Sequence, residues 1–118
     1  MIIEVSDITY VELIENLDKA LFIDFYSPLC GPCQEVLAQL SYIDNYFNDE
    51  VIVAKVDVTQ NPKLAKKYEI QSVPFCVSID VKNKSVIDYE LGSSSVNRYV
   101  KMIEKAQNKK GFFSKIFS

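Results

Sequence analysis

Phe25-Tyr26-Ser27-Pro28-Leu29-Cys30-Gly31-Pro32-Cys33 sets two thiols two residues apart, where an apolar run gives way to a helical pattern. The run that leads into it, Leu21 to Tyr26, reads as a strand. From Cys33 onward, Val36, Leu37, Leu40, Ile43 and Phe47 recur at helical spacing until Asn48-Asp49. A C-x-x-C pair at a strand-to-helix junction is the arrangement of a thiol couple that cycles between dithiol and disulfide. Two purely structural cysteines are the alternative.

On the N-terminal side, Thr9 to Asp18 is predicted to be a helix with Leu13, Ile14 and Leu17 on one face. On the C-terminal side, Val51 to Asp57 reads as a β-branched strand and Pro62 to Tyr68 as a short helix with proline in its first turn. Phe75 to Ile79 and Ser85 to Leu91 read as strands joined by a polar turn at Asp80 to Lys84. Val96, Tyr99, Val100 and Ile103 share one face of a closing helix. Helices and strands that alternate and then end in a hairpin predict an α/β fold, a mixed sheet with helices on both faces.

The 118 residues suffice for one domain, and the 48% apolar content suits an ordinary core. A net charge of -3 argues against nucleic-acid binding, which needs a basic face. Of the 13 basic residues, Lys109, Lys110 and Lys115 lie in the last ten positions. The chain therefore divides into an acidic domain, 1–108, and a basic-aromatic tail, 109–118. There is no histidine, which excludes Ser-His and Cys-His nucleophiles and every His-ligated metal site. Met1-Ile2-Ile3-Glu4 lacks the basic start of a signal peptide, and no run approaches the ~20 apolar residues of a membrane span. With three cysteines, a cytoplasmic protein is expected.

Cys30 is the expected attacking thiol, because the free N–H groups and positive dipole end of a helix favour a thiolate over a thiol. Pro32 falls in the first turn, where its missing N–H is no loss, and stiffens the loop. Cys33, about one turn further in, is the expected resolving thiol. Strand alternation puts Phe22, Asp24 and Tyr26 on one face and Leu21, Ile23 and Phe25 on the other. A solvated face would leave Phe22 and Tyr26 in water, so both faces should be covered, which buries Asp24 and raises its pKa. An acid at a solvated strand end is the plainer alternative. Cys76, in an apolar strand, reads first as a small buried hydrophobe, with a regulatory or metal-binding thiol as the alternative. Three cysteines cannot complete a four-ligand zinc or iron–sulfur site within one chain.

Over residues 1–107 or so the chain resembles the thioredoxin family. The matching motifs are Asp24-Phe25-Tyr26, Cys30-Gly31-Pro32-Cys33, Lys55-Val56-Asp57, Gln60-Asn61-Pro62, and Ile70 to Phe75 with Val73-Pro74. The resemblance implies the thioredoxin fold, a central mixed five-stranded sheet flanked by helices in the order strand, helix, strand, helix, strand, helix, strand, strand, helix. It also implies that Asp24 lies behind Cys33 and relays its proton, with Lys55 tuning that acid. Pro74 would be cis, Val73 would pair with an extended substrate peptide by its backbone, and Gly92 would line a second close-approach loop.

Several positions depart from the family pattern. Leu29 and Tyr26 stand where tryptophans are usual, Phe75 replaces a threonine after the proline, Ala38 replaces a helix-bending proline, and Lys84 replaces a turn glycine. Glu35 adds negative charge near the cysteines. Leu29 and Phe75 should therefore reshape the substrate-binding groove beside Val73, Pro74 and Gly92. In the tail, Phe112, Phe113, Ile116 and Phe117 fall on one face of a potential short helix beside Lys115, a pattern suited to a partner groove or an anionic membrane. The expectation is a monomeric thiol–disulfide oxidoreductase that reduces client-protein disulfides through Cys30 and Cys33. It would be restored by a thioredoxin reductase and need no cofactor beyond its own disulfide. A dedicated electron donor to one enzyme, or a binding module docked through the tail, are the alternatives.

Overall fold

Leu21, Phe22, Ile23, Asp24 and Phe25 are almost wholly shielded from solvent, and this places their strand at the centre of the molecule. A computed structural model describes residues 1–108; the basic-aromatic tail at 109–118, for which docking on a partner or membrane is one reading beside packing back on the domain or fraying, lies outside the described residues. Five strands form one sheet: β1 (Ile2–Glu4), β2 (Ala20–Tyr26), β3 (Val51–Asp57), β4 (Phe75–Ile79) and β5 (Val86–Leu91). Their spatial order is β1-β3-β2-β4-β5. β3 runs parallel to both β1 and β2, whereas β4 is antiparallel to β2 and to β5, so the sheet is mixed. Four helices complete the fold: α1 (Thr9–Glu15), α2 (Gly31–Phe47), α3 (Pro62–Lys67) and α4 (Val96–Gln107).

A strand buried on both faces carries a near-continuous apolar run, as β2 does. On one face Phe22 packs with Val36, Leu40 and Ile43 of α2 and Tyr99, Met102 and Ile103 of α4. On the other, Leu21, Ile23 and Phe25 pack with Tyr10 of α1, Leu17 beyond that helix and Leu64 of α3. Burying a side chain such as Leu40 or Ile43 contributes roughly 1.5–3 kcal/mol, which is what holds α2 on the sheet.

The helix ends follow local chemistry. α1 stops at Glu15, short of the predicted Asp18, because the Asn16 side chain donates to the Glu12 carbonyl oxygen (3.0 Å) and ends the turn. α2 is one unbroken helix of 17 residues, with Ala38 where a proline would interrupt the ladder. It ends where Asn48 turns left-handed (φ 46°). α3 starts at Pro62, and the Asp7 carboxylate accepts from the N–H groups of Lys63 (3.2 Å) and Leu64 (2.8 Å). In the β4–β5 turn Asp80 accepts from the Asn83 and Ser85 backbones. Lys84 takes the left-handed conformation there (φ 55°), a cost that a glycine would not bear. Its ammonium group donates to the Glu15 carbonyl oxygen at the end of α1 (2.9 Å).

Candidate redox active site

Cys30 is the N-cap of α2. Its extended backbone (φ -94°, ψ 116°) aims the sulfur back at the first turn, and Sγ accepts from the Cys33 backbone N–H at 3.2 Å. That bond and the helix dipole both favour negative charge on Cys30 once the pair is reduced. Cys30 and Cys33 are joined as a disulfide with their Cα atoms 5.2 Å apart. The two sulfurs differ in access: Cys30 is half-buried, while Cys33, in the first turn of α2, is completely buried. Gly31 and Pro32 are exposed, and a Cβ at Gly31 would meet nothing within 4 Å. Leu29, directly before the pair, is 97% exposed. One sulfur can therefore be reached by a large substrate and the other only by its neighbour.

Across from Cys30 lies the β4 approach. The Val73–Pro74 peptide bond is cis, and the Val73 carbonyl oxygen is 3.7 Å from Cys30 Sγ. Gly92 donates its N–H to the Pro74 carbonyl oxygen at 2.8 Å and holds a left-handed φ of 84°, which a side chain would strain. Those two contacts bring Cys30, Val73, Pro74 and Gly92 together. Phe75 points to the other side of the sheet: its ring stacks on Tyr89 (centroids 5.7 Å apart) and tilts against Phe25 (6.3 Å).

Asp24 is completely buried in β2, on the face that α2 and α4 cover. Its register neighbours are Lys55 on β3 and Cys76 on β4. Burial pushes its carboxyl up to about 7, while the Cys76 thiol and, more weakly, the positive charge of Lys55 pull it back down. Such an acid is present in both protonation states near neutral pH, which suits it to exchange protons with a buried thiol. Lys55 does not commit itself to Asp24. Its ammonium group lies 3.7 Å from a Glu4 carboxylate oxygen and 5.8 Å from the centre of the Tyr26 ring. Tyr26 in turn donates its hydroxyl to Glu4 at 3.0 Å, and burial together with that carboxylate pushes it up to about 12.

Glu4 and the Cys76–Asp24 contact are absent from the sequence reading. Glu4 sits on a three-residue strand whose register no pattern reveals. Cys76 meets Asp24 only once β4 is aligned antiparallel to β2. No local pattern carries that contact, because β2 and β4 are not consecutive strands and meet only in the register of the sheet.

Comparison with known proteins agrees with this geometry. Residues 1–105 match the family model described as thioredoxin. The chain is 32% identical over 98 residues to thioredoxin Y2, chloroplastic, of Arabidopsis thaliana, covering 83% of this chain and 58% of that relative. It is 29% identical over 102 residues to a thioredoxin of Chlorobaculum thiosulfatiphilum, covering 86% of this chain and 93% of the relative. The crystal structure of chloroplastic thioredoxin z shares the fold, with a TM-score of 0.81 at 24% identity over 92% of this chain and 96% of that one.

Proposed function

Since the chain belongs to the thioredoxin family and carries a thiol–disulfide oxidoreductase pair at Cys30 and Cys33, we propose that it reduces disulfides of client proteins. The observation that carries this reading is the unequal access of the two sulfurs at one helix N-terminus. Cys30 is reachable beside exposed Leu29, and Cys33 is sealed behind it.

In the reduced protein the Cys30 thiolate attacks one sulfur of the client disulfide. A Cys30–client mixed disulfide forms, and the client's second sulfur leaves as a thiolate and takes up a proton. Cys33 then gives its proton to ionised Asp24 and attacks Cys30 Sγ, which expels the client's first sulfur. Two electrons have passed to the client, and the Cys30–Cys33 disulfide is left. The couple is itself the redox centre, so the scheme calls on no bound cofactor. A thioredoxin reductase would return the two electrons. The client's extended backbone would lie along Val73, whose carbonyl oxygen already borders Cys30, with Gly92 giving clearance.

We place this activity in a reducing compartment, the cytoplasm by the cysteine usage of the chain. Among the described residues no helix is long and apolar enough to cross a membrane. A dedicated donor to one partner is the second reading, favoured by the apolar, 97% exposed Leu29 beside Cys30.

The test is reduction of insulin disulfides with dithiothreitol as the electron source. The wild-type chain accelerates precipitation, and Cys30→Ser brings the rate to that of dithiothreitol alone. A Cys30→Ser variant as fast as wild type overturns the proposal.

A further inference from the structure

Cys76 lies on β4 at the register position facing Asp24, and neither residue has any exposed surface. Its Sγ is 3.5 Å from Asp24 Oδ1. Burial, then the neighbouring Asp24 charge, push the Cys76 thiol well above its ordinary value, so it keeps its proton at neutral pH. A carboxylate can only accept, and the direction of the bond follows: Cys76 donates and Asp24 Oδ1 receives. The other carboxylate oxygen, Oδ2, is buried without a hydrogen-bond partner among the described residues. A buried, unpaired oxygen on an ionisable group costs free energy, so its retention points to a use.

The thiol is itself held in place. The Tyr99 hydroxyl on α4 faces the Cys76 sulfur and accepts from the Ser94 backbone N–H at 2.8 Å. Tyr99 on α4 and Asp24 on β2 thus lie on either side of the Cys76 thiol, and the bond to Asp24 is the one that fixes its proton.

We propose that Cys76 is a positioning residue of the redox site, its thiol occupying Asp24 Oδ1 so that Oδ2 is the oxygen left to exchange the Cys33 proton. The inference rests on the proposed role of Asp24 in the Cys33 step. A donor on Oδ1 stabilises the carboxylate over the acid, which keeps Asp24 able to accept a proton near neutral pH. The other groups whose charge reaches this carboxyl are Lys55 from β3, Tyr26 along β2 and Tyr99 from α4, with Glu90 on β5 paired to Cys76. Among them Cys76 alone is hydrogen-bonded to Asp24. A simple space-filling role would be served by any residue of similar volume. A positioning role needs a donor.

Titration of the Asp24 carboxyl by carbon-13 NMR in the oxidised protein tests this, because Cys33 carries no proton there and the chain has no histidine to obscure the range. Cys76→Val keeps the volume and the strand preference but removes the donor; Cys76→Ser keeps a donor. The expected result is an Asp24 midpoint raised by about one pH unit in Cys76→Val and not raised in Cys76→Ser. The pH profile of the resolving step, measured as release of the client from its mixed disulfide, should move with it. A Cys76→Val midpoint equal to wild type, or Cys76→Ser rising as far as Cys76→Val, overturns the proposal. Those results leave the reductase function standing as long as Cys30→Ser remains inactive on insulin. Activity in Cys30→Ser removes that function whatever the Asp24 midpoint.

Discussion

Ile23 and Asp24 are adjacent on β2 and equally buried, yet they face two differently made layers. Ile23 points into an apolar layer shared with Leu21, Phe25, Val77 and Leu64. Asp24 points into the layer beneath α2 and α4, which holds Phe22, Cys76 and Tyr99 and contains a carboxyl with one oxygen unpartnered. The first layer can be explained by stability alone. The second cannot, because an apolar residue at Asp24 would pack as well and would avoid the desolvation. What the contrast teaches is that the free-energy cost in β2 is concentrated at the one position that borders the buried thiol.

The comparison breaks most visibly at Asp24. Once unfolded, its carboxyl ionises near 3.9, whereas in the fold it keeps its proton up to about 7. The folded state therefore binds the extra proton across that window, and stability falls as pH rises from about 4 to about 7 and stays lower above it. The rise from 3.8 to about 7 corresponds to about 4 kcal/mol. Asp24→Asn should be more stable than wild type at pH 8 by up to that amount, lose the fall in stability between pH 4 and 7, and slow client reduction. Urea denaturation at pH 4, 6 and 8 checks it; an Asp24→Asn no more stable than wild type at pH 8 contradicts it.

The neighbouring position should respond in the opposite sense. Ile23→Ala opens a cavity in a fully apolar layer and should cost about 3 kcal/mol, equally at pH 4 and pH 8. Insulin reduction per folded molecule should be unchanged. A loss that varied with pH would mean the two layers are not separate.

The smallest expected effect sharpens the contrast at its edge. Lys55 is about one-third exposed and shared with Glu4 and Tyr26, so its charge is partly screened from Asp24. Lys55→Met should raise the Asp24 midpoint by roughly half a pH unit or less, read by the same carboxyl NMR. A rise as large as that of Cys76→Val would make Lys55 the main partner of this acid.

Legibility from the sequence divides along physical lines. β3 and β4 were bounded correctly as Val51–Asp57 and Phe75–Ile79, since buried strands carry dense β-branched and aromatic runs between polar breaks. The burial of Asp24 was also readable, because strand alternation tied it to Phe22 and Tyr26. β1 left no periodic signal in its three residues and was expected only through the family resemblance. The start of α2 at Gly31, two residues before the apolar spacing begins, depends on Cys30 acting as N-cap. The Cys76–Asp24 bond joins residues 52 positions apart, so it exists only in the register of the sheet. The same is true of Glu4 meeting Tyr26 and Lys55. Phe75 shows another kind of information the sequence lacks: that its ring lies against Tyr89 and Phe25, on the opposite face of the sheet from Asp24, follows only from the pairing of β4 with β2 and β5.

The central claim is that the accessible sulfur of Cys30 makes the bond to the client and Cys33 breaks it. Cys33→Ser, which leaves the first step intact and removes the second, should be incubated with a disulfide-containing protein and the adduct mapped by mass spectrometry. The account predicts a stable mixed disulfide on Cys30, absent from the wild-type chain because Cys33 resolves it. An adduct on Cys76 instead, or none at all, would contradict the account.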